Sequence, residues 1–413
     1  MNNLTYCSNC VTPNSRPGLT FDSRGFCNAC KNAELKRSTD WTARAVEFKS
    51  YIADILVNAD PERDYDCVMT VSGGKDSTFQ AWYAKNVLGI RALCVRIQPL
   101  APKDFIAEHN FHNIATTIGL DSISIVNNKH VFSRLARKCF IEYGNPYIPY
   151  YYNIYFQCAK VAHEKKIPIV IIGENGETEY GGNTSFNFLT TAGVDLRIGR
   201  GYKNFIPSSR WVEWGFSRAE LAPYTDIIKT SLVDSDNLYR FFMSDFVPWN
   251  NNEHLHYSLN IIGGFKTLGE RSTGSYSHGF GIEDDLDDIY LWLMWLKFGI
   301  HRANKYASTD IREGKLSRVG AIELVRLYDG EFPWHCFSKV LGVLNISEFD
   351  FWVLCQKFIG DSENLTRLAL EQGKDFSDIV PAWKKIGPNK WIHVNTVHGE
   401  ERVLELPVRR SVN

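Results

Sequence analysis

Several features are missing from this chain, and each absence excludes something. Lys and Arg total 46 against 47 Asp and Glu, a net charge of -1. The basic excess that marks most tRNA- or DNA-binding proteins is therefore absent from the total. No apolar stretch follows Met1, because Asn2, Asn3 and Thr5 are polar, which reads as no signal peptide. The longest apolar run in the C-terminal half, Ile289 to Phe298, is too short to span a bilayer. Internal repeats and low-complexity tails are also lacking. Ten cysteines without a secretion signal point to a reducing cytosol, and to metal binding rather than disulfides.

What is present is a folded composition, 44% hydrophobic and 23% charged over 413 residues. That length is enough for two or three domains. Residues 41 to 57 carry a helical stripe of Ala45, Phe48, Ile52 and Ile55. Strands and helices then alternate: strands at 67–71, 91–97, 122–126 and 167–172, helices at 77–88, 104–118, 131–143 and 153–165. Continuous apolar strands separated by helices imply a parallel sheet covered on both faces. Ligands on such sheets lie at the carboxyl ends of the strands, where Ser72 and Gly173 fall. Residues 176–216 read as an irregular insertion, 217–248 as helical, 249–281 as mostly loop, and 284–358 as mainly helical.

At the N-terminus, Cys7-x2-Cys10 and Cys27-x2-Cys30 are separated by sixteen residues. Two such knuckles can place four thiolates around one ion. Zinc is the expected metal and a rubredoxin-like iron the alternative. Four Cys ligands leave no open position for water, so a structural staple is expected over a catalytic or nucleic-acid-contacting metal. The other cysteines, Cys67, Cys94, Cys139, Cys158, Cys336 and Cys355, sit in apolar contexts that suit core packing.

The stretch SGGKDS, residues 72–77, lies between the first predicted strand and its helix. Gly73 and Gly74 permit a tight turn whose N–H groups face an anion, and the helix adds its positive end. Ser72 and Ser77 offer hydroxyls and Lys75 a point charge. Asp76 beside a polyphosphate implies an intervening Mg²⁺. Such a loop suits a reaction that expels pyrophosphate, with the α phosphate left open to attack.

SGGKDS resembles the signature of the PP-loop (N-type) ATP pyrophosphatases, which adenylate a carbonyl-type oxygen and displace AMP with nitrogen or sulfur. A longer series of stretches is similar to the bacterial N-acetyl sugar amidotransferases of surface-polysaccharide and nonulosonic-acid synthesis, the WbpG/PseA type. These are RPGLTFDSRGFCNAC, SGGKDST, IIGENGETEYGG, TGSYSHGFGIEDDLDD, KFGIHRANKYASTDIREGKLSR and VRLYDGEFP. The resemblance implies an α/β architecture with three parts: a four-Cys zinc ribbon (1–40), a PP-loop ATP pyrophosphatase domain with a parallel sheet of the adenine nucleotide alpha hydrolase kind (41–216), and a mainly helical region for substrate or partner (217–413). It also implies conversion of the N-acetyl group of a lipopolysaccharide O-antigen or pseudaminic-acid-type sugar, UDP-linked or free, to an acetamidino group. ATP and Mg²⁺ would be used and AMP and pyrophosphate released. Ammonia would come from a partner glutaminase, since Asn2 replaces the cysteine an N-terminal-nucleophile glutaminase needs and no cysteine lies on a Gly-flanked elbow.

Within that frame the expected catalytic residues are Lys75, Asp76 and Glu174, and the nucleotide-binding residues are Ser72, Gly73, Gly74, Lys75, Asp76 and Ser77. Glu174 either holds Mg²⁺, positions ammonia or caps a loop. Glu179 and Tyr180 are candidates for contact with sugar or nucleotide. Tyr276, Lys297 and Arg302 are candidate sugar- or phosphate-facing groups. Arg312 and Arg318 either clamp phosphates or pair with Asp310. Asp284, Asp285, Asp287 and Asp288 read as capping charge on the helix that follows. His109 and His112 read as a solvated pair, and the aromatic stretch Tyr147–Phe156 as core or interface. Two other functions remain as alternatives: a PP-loop tRNA thiolase, and a non-catalytic zinc-ribbon scaffold.

Overall fold

A computed structural model describes residues 5–103, 105–182, 208–224, 238–359, 383–387, 390–395 and 400–405. Helices α1 (Asn28–Ser38) and α2 (Trp41–Val57) precede the sheet. Asp40 caps α2 by accepting from the N–H groups of Thr42 and Ala43, which fixes where that helix starts. The sheet strands are β1 (Cys67–Thr70), β2 (Ala92–Ile97), β3 (Ser122–Ile125), β4 (Ile169–Ile172) and β5 (Tyr239–Phe242). All pairs are parallel, in the order β3-β2-β1-β4-β5. The order reverses between β1 and β4, so the crevice of this doubly wound sheet opens above those two carboxyl ends.

Side chains of the central strands alternate between two cores. Val68, Leu93, Val95 and Val170 face α5 (Lys129–Tyr143) and α6 (Ile148–Glu164). Cys67, Met69, Cys94, Ile169 and Ile171 face α2 together with α3 (Lys75–Tyr83) and α4 (Ile106–Asn113). Burial on both faces is why these strands read as unbroken apolar runs. Helices α3 and α4 each end in a π-wound turn, closed by Gly89 and Gly119 in the left-handed conformation.

After β4 come the short α7 (Gly176–Tyr180), α8 (Ser208–Glu213) and α9 (Arg218–Leu221). Then follow β5, α10 (Asn251–His256), α11 (Asp285–Phe298), α12 (Arg302–Arg312), α13 (Arg318–Tyr328), α14 (Trp334–Leu344) and α15 (Glu348–Phe358). Helix α11 packs on α14 and α15, and α14 returns to α5, so the helical end shares the sheet's first core. Strands β6 (Trp383–Gly387), β7 (Lys390–Asn395) and β8 (Glu400–Glu405) form an antiparallel sheet.

Three expectations change. Residues 239–242 are the fifth strand, not helix, so the sheet continues past residue 216. Residues 251–256 form a helix with a π-wound continuation where loop was expected. The last described residues form a small sheet inside a region read as mainly helical. Most of the expected insertion, 183–207, lies outside the described residues.

Candidate active site and metal centre

The four expected thiol ligands converge. Sγ of Cys7 lies 3.8 Å from that of Cys30, and Sγ of Cys10 3.7 Å from that of Cys27. All four sulfurs lie within 4.8 Å of one another and are buried. A tetrahedral ion with metal–sulfur bonds of about 2.3 Å sets sulfurs roughly 3.8 Å apart. The spacing therefore fits a single zinc or iron, whereas a multi-iron cluster holds its thiolates further apart. Hydrogen bonds from Cys27, Cys30 and Cys7 hold the Cys10 thiol well below its ordinary range. The cluster thus favours at least one thiolate even without an ion.

The ribbon is tied to both ends of the fold. Asn28 and Asn32 donate to the carbonyls of Gly182 and Thr178. Asn304 donates to the Val11 carbonyl at 2.8 Å, and Thr12 to Ser308 at 3.0 Å. Arg318 donates to the carbonyls of Cys10 and Cys7, at 3.3 and 3.4 Å. Arg318 therefore clasps the cysteine knuckle rather than phosphate, a correction to its expected role. Arg312 likewise points away from the PP-loop, donating to the Glu179 carbonyl and the Thr309 hydroxyl. Asp310 pairs with neither arginine. It accepts from Asn252 and from the Tyr276 hydroxyl.

The loop 72–77 turns between β1 and α3. Gly73 has φ +93°, and a Cβ there would lie 2.2 Å from the Ala107 carbonyl oxygen, so only glycine fits. The Ser77 hydroxyl accepts from the N–H groups of Ser72 and Gly73, at 3.2 and 3.3 Å. Gly74 N–H donates to the Ser72 hydroxyl at 3.2 Å. These hydrogen bonds shape the loop, and Ser72 and Ser77 both line the cavity above it. Further donors lie in the first turn of α3, at Lys75, Asp76 and Ser77, where a helix start without a side-chain cap leaves N–H groups lacking intrahelical partners.

Lys75 is buried and makes three contacts. Its Nζ lies 2.6 Å from Asp76 Oδ2, 3.1 Å from Asn251 Oδ1, and 4.1 Å above the Phe280 ring. His254 Nδ1 sits 2.7 Å from the other Asp76 oxygen, its ring stacked on Phe79. Burial raises the Asp76 carboxyl, but Lys75 and His254 outweigh it and hold the group ionised, well below its ordinary range. Glu283 also reaches the loop, accepting from the Ser72 hydroxyl at 3.0 Å. Asn251, His254 and Glu283 were not singled out in the sequence, although Glu283 lies within the stretch TGSYSHGFGIEDDLDD. They arrive from elements whose pairing with the loop is purely tertiary.

A cavity of about 700 Å³ opens above the carboxyl ends of β1 and β4. Ser72, Asp76 and Ser77 line it, and so do Glu174 and Tyr180. The Tyr180 hydroxyl donates to Glu174 at 2.6 Å, which brings the two expected residues together. Glu179 instead pairs with Lys36. The stretch 147–156 is core on one side, but Tyr151 and Tyr155 face this cavity. Lys297 reaches the wall, yet its ammonium donates to the Tyr143 carbonyl at 2.8 Å. Burial pushes it down to about 7. Tyr276 lines a separate cavity of about 370 Å³. Arg302 lines neither of these two cavities. It is buried against Asp287 and Asp288. Asp284 caps α11 by accepting from Leu286 N–H, as expected, and burial raises its carboxyl to about 7. His109 contacts the Gly264 carbonyl, and His112 is exposed near Glu108.

Residues 272–367 match the family model described as the LPS biosynthesis protein WbpG-like, C-terminal domain. The helical end of the chain is thus similar to the C-terminal domain of WbpG-like proteins. The loop sits on the sheet, and the matched helical end supplies Glu283 beside it. No curated protein matches the chain. Among solved structures, it is similar to an NH3-dependent NAD synthetase from Campylobacter jejuni in complex with nitrate ion, at 16% identity and TM-score 0.27, covering 46% of this chain and 82% of that one. A U34-tRNA thiolase, NcsA from Methanococcus maripaludis with its [4Fe-4S] cluster, is similar at 14% identity and TM-score 0.27, covering 81% and 91%. At that score neither likeness bears on chemistry. Among the described residues, no helix is long and apolar enough to cross a membrane.

Proposed function

We propose that this chain is an ATP-dependent amidotransferase that converts the N-acetyl group of a bacterial surface sugar to an acetamidino group. The observation that carries the reading is the SGGKDS turn at the switch point of a parallel sheet, opening on a cavity of about 700 Å³ with Asp76 in its wall. The first-turn amides of α3 and Lys75 hold the β and γ phosphates. Asp76 is the carboxylate that would hold Mg²⁺. Its ionised state and cavity-facing position fit that metal, which would neutralise charge on the triphosphate.

The chemistry follows from the weakness of an amide as an electrophile. The acetamido oxygen attacks the α phosphorus and the bond to pyrophosphate breaks. Ammonia then attacks the imidate carbon, loses a proton, and AMP leaves with the original oxygen. Glu174, which accepts a hydrogen bond from the Tyr180 hydroxyl, would take that proton. In this scheme the four-Cys lobe, with zinc, is a structural staple, the sheet binds nucleotide, and the helical end meets acceptor and a cytoplasmic glutaminase partner. The thiolase alternative asks for a reactive cysteine beside the nucleotide. Cys158 lines the cavity but is fully buried, and burial pushes its thiol upward, away from a nucleophilic thiolate.

Asp76→Asn tests the loop assignment. Pyrophosphate release should fall by about 10²-fold or more, as for loss of a transition-state electrostatic group, with cysteine-bound metal unchanged. An Asp76→Asn variant that turns over like the parent removes Asp76 from the mechanism.

A further inference from the structure

The large cavity holds two cations that the loop chemistry does not use. Arg16 comes from the four-Cys lobe and Lys305 from α12, and both line the cavity. They flank one ring: Lys305 Nζ lies 3.9 Å from the Tyr180 centroid, and the Arg16 guanidinium 5.9 Å from it. Among the described residues, neither makes an ion pair within 4.0 Å. Arg16 Nε is buried without any hydrogen-bond partner. Burial opposes the charge on both groups. Glu177 favours the charge at Arg16 and Glu174 that at Lys305, from the same cavity wall but without an ion pair. Partly buried charge without a direct partner is costly, and an anionic ligand would complete the pairing. The neighbouring wall is aromatic, with Tyr151, Tyr155 and Tyr290. The triphosphate already has its own positive surface at α3 and Lys75, so this second centre serves the other substrate.

We propose that Arg16 and Lys305 form a clamp for an anionic group on the acceptor, either a sugar carboxylate or a nucleoside diphosphate. The inference rests on the amidotransferase reading for the word acceptor. The clamp itself is a binding property and is read without turnover. It makes the four-Cys lobe part of the substrate site, because the segment from Cys10 to Cys27 carries Arg16 into the cavity. It also predicts that a neutral N-acetyl sugar is a poor ligand.

The test is calorimetric titration of the full-length metal-loaded protein with three probes: N-acetylneuraminic acid, UDP-N-acetylglucosamine and neutral N-acetylglucosamine. At least one anionic probe should bind well above the neutral sugar, and which one binds identifies the group. Arg16→Met and Lys305→Met should each weaken that probe by about tenfold or more, the loss expected for a charge-assisted contact. Binding of Mg-ATP should change less than about twofold, a smaller change than loss of one such contact would give. Lys305→Arg should restore binding, which separates loss of charge from loss of fold. Equal binding of all three probes overturns the clamp. A parallel loss of Mg-ATP binding also overturns it, by assigning both cations to the nucleotide. Anionic binding that follows the two cations, in a protein that forms no AMP with any acceptor, would uphold the clamp and reject the amidotransferase reading.

Discussion

Gly73→Ala is the most informative single change, because the structure separates its two costs. The residue has φ +93°, where a side chain is strained, and its new Cβ would meet the Ala107 carbonyl oxygen at 2.2 Å. The left-handed penalty is about 1–2 kcal/mol. Overpacking against backbone adds about 1–3 kcal/mol. Relief requires the loop or the start of α4 to move by roughly 1 Å, and a displacement of that size at a reacting centre costs about 10²-fold in rate. Gly89→Ala is the control. Gly89 has φ +70° but nothing within 4 Å of its Cβ, so it carries the conformational cost alone. Thermal melts should place Gly73→Ala below Gly89→Ala, and pyrophosphate release should collapse only in Gly73→Ala. Equal melts with undiminished release would refute the claim that this turn's geometry holds the phosphates.

Three further outcomes follow from buried groups. Asp288 compensates Arg302 and Lys103, all three nearly or fully buried, so Asp288→Asn should cost about 3 kcal/mol in a urea titration, with Asp287 still pairing Arg302. The Lys297 ammonium is pushed down to about 7 by burial, while the unfolded chain keeps that proton to about pH 10. Between those values the unfolded state binds more protons, so stability rises with pH. Lys297→Met should remove that slope and be more stable at pH 7, by about 2–4 kcal/mol at roughly 1.4 kcal/mol per pH unit. Cys10→Ser should release the bound ion, seen by elemental analysis, and lower the melting temperature, because Arg318 and Asn304 clasp the same knuckle.

Legibility in the sequence followed how local each signal was. Strands β1, β2 and β4 were readable because burial on both faces demands continuous apolar residues. The cysteine knuckles and the SGGKDS turn were readable because their spacing is fixed by an ion and by a helix start. Strand β5, Tyr-Arg-Phe-Phe, was missed because it lies at the sheet edge in a stretch of mixed aromatic and charged residues without a clean period. Arg318 was left between a phosphate clamp and a pair with Asp310, because positive charge in a dense motif suits either. In the fold it satisfies two cysteine carbonyls. Arg16 and Lys305 lie in stretches that carry the family resemblance but were not singled out, because they, like Asn251 and His254, gain their meaning from a partner more than a hundred residues away.

The most direct test of the central claim is an incubation of the purified protein with Mg-ATP, ammonium chloride and a panel of UDP-linked diacetamido sugars and nonulosonic acids. AMP, pyrophosphate and product mass would be read together. The account predicts AMP and pyrophosphate in equal amounts with one sugar, whose acetamido oxygen is replaced by NH. AMP formed only when tRNA and a sulfur donor are supplied, with every sugar inert, would contradict it.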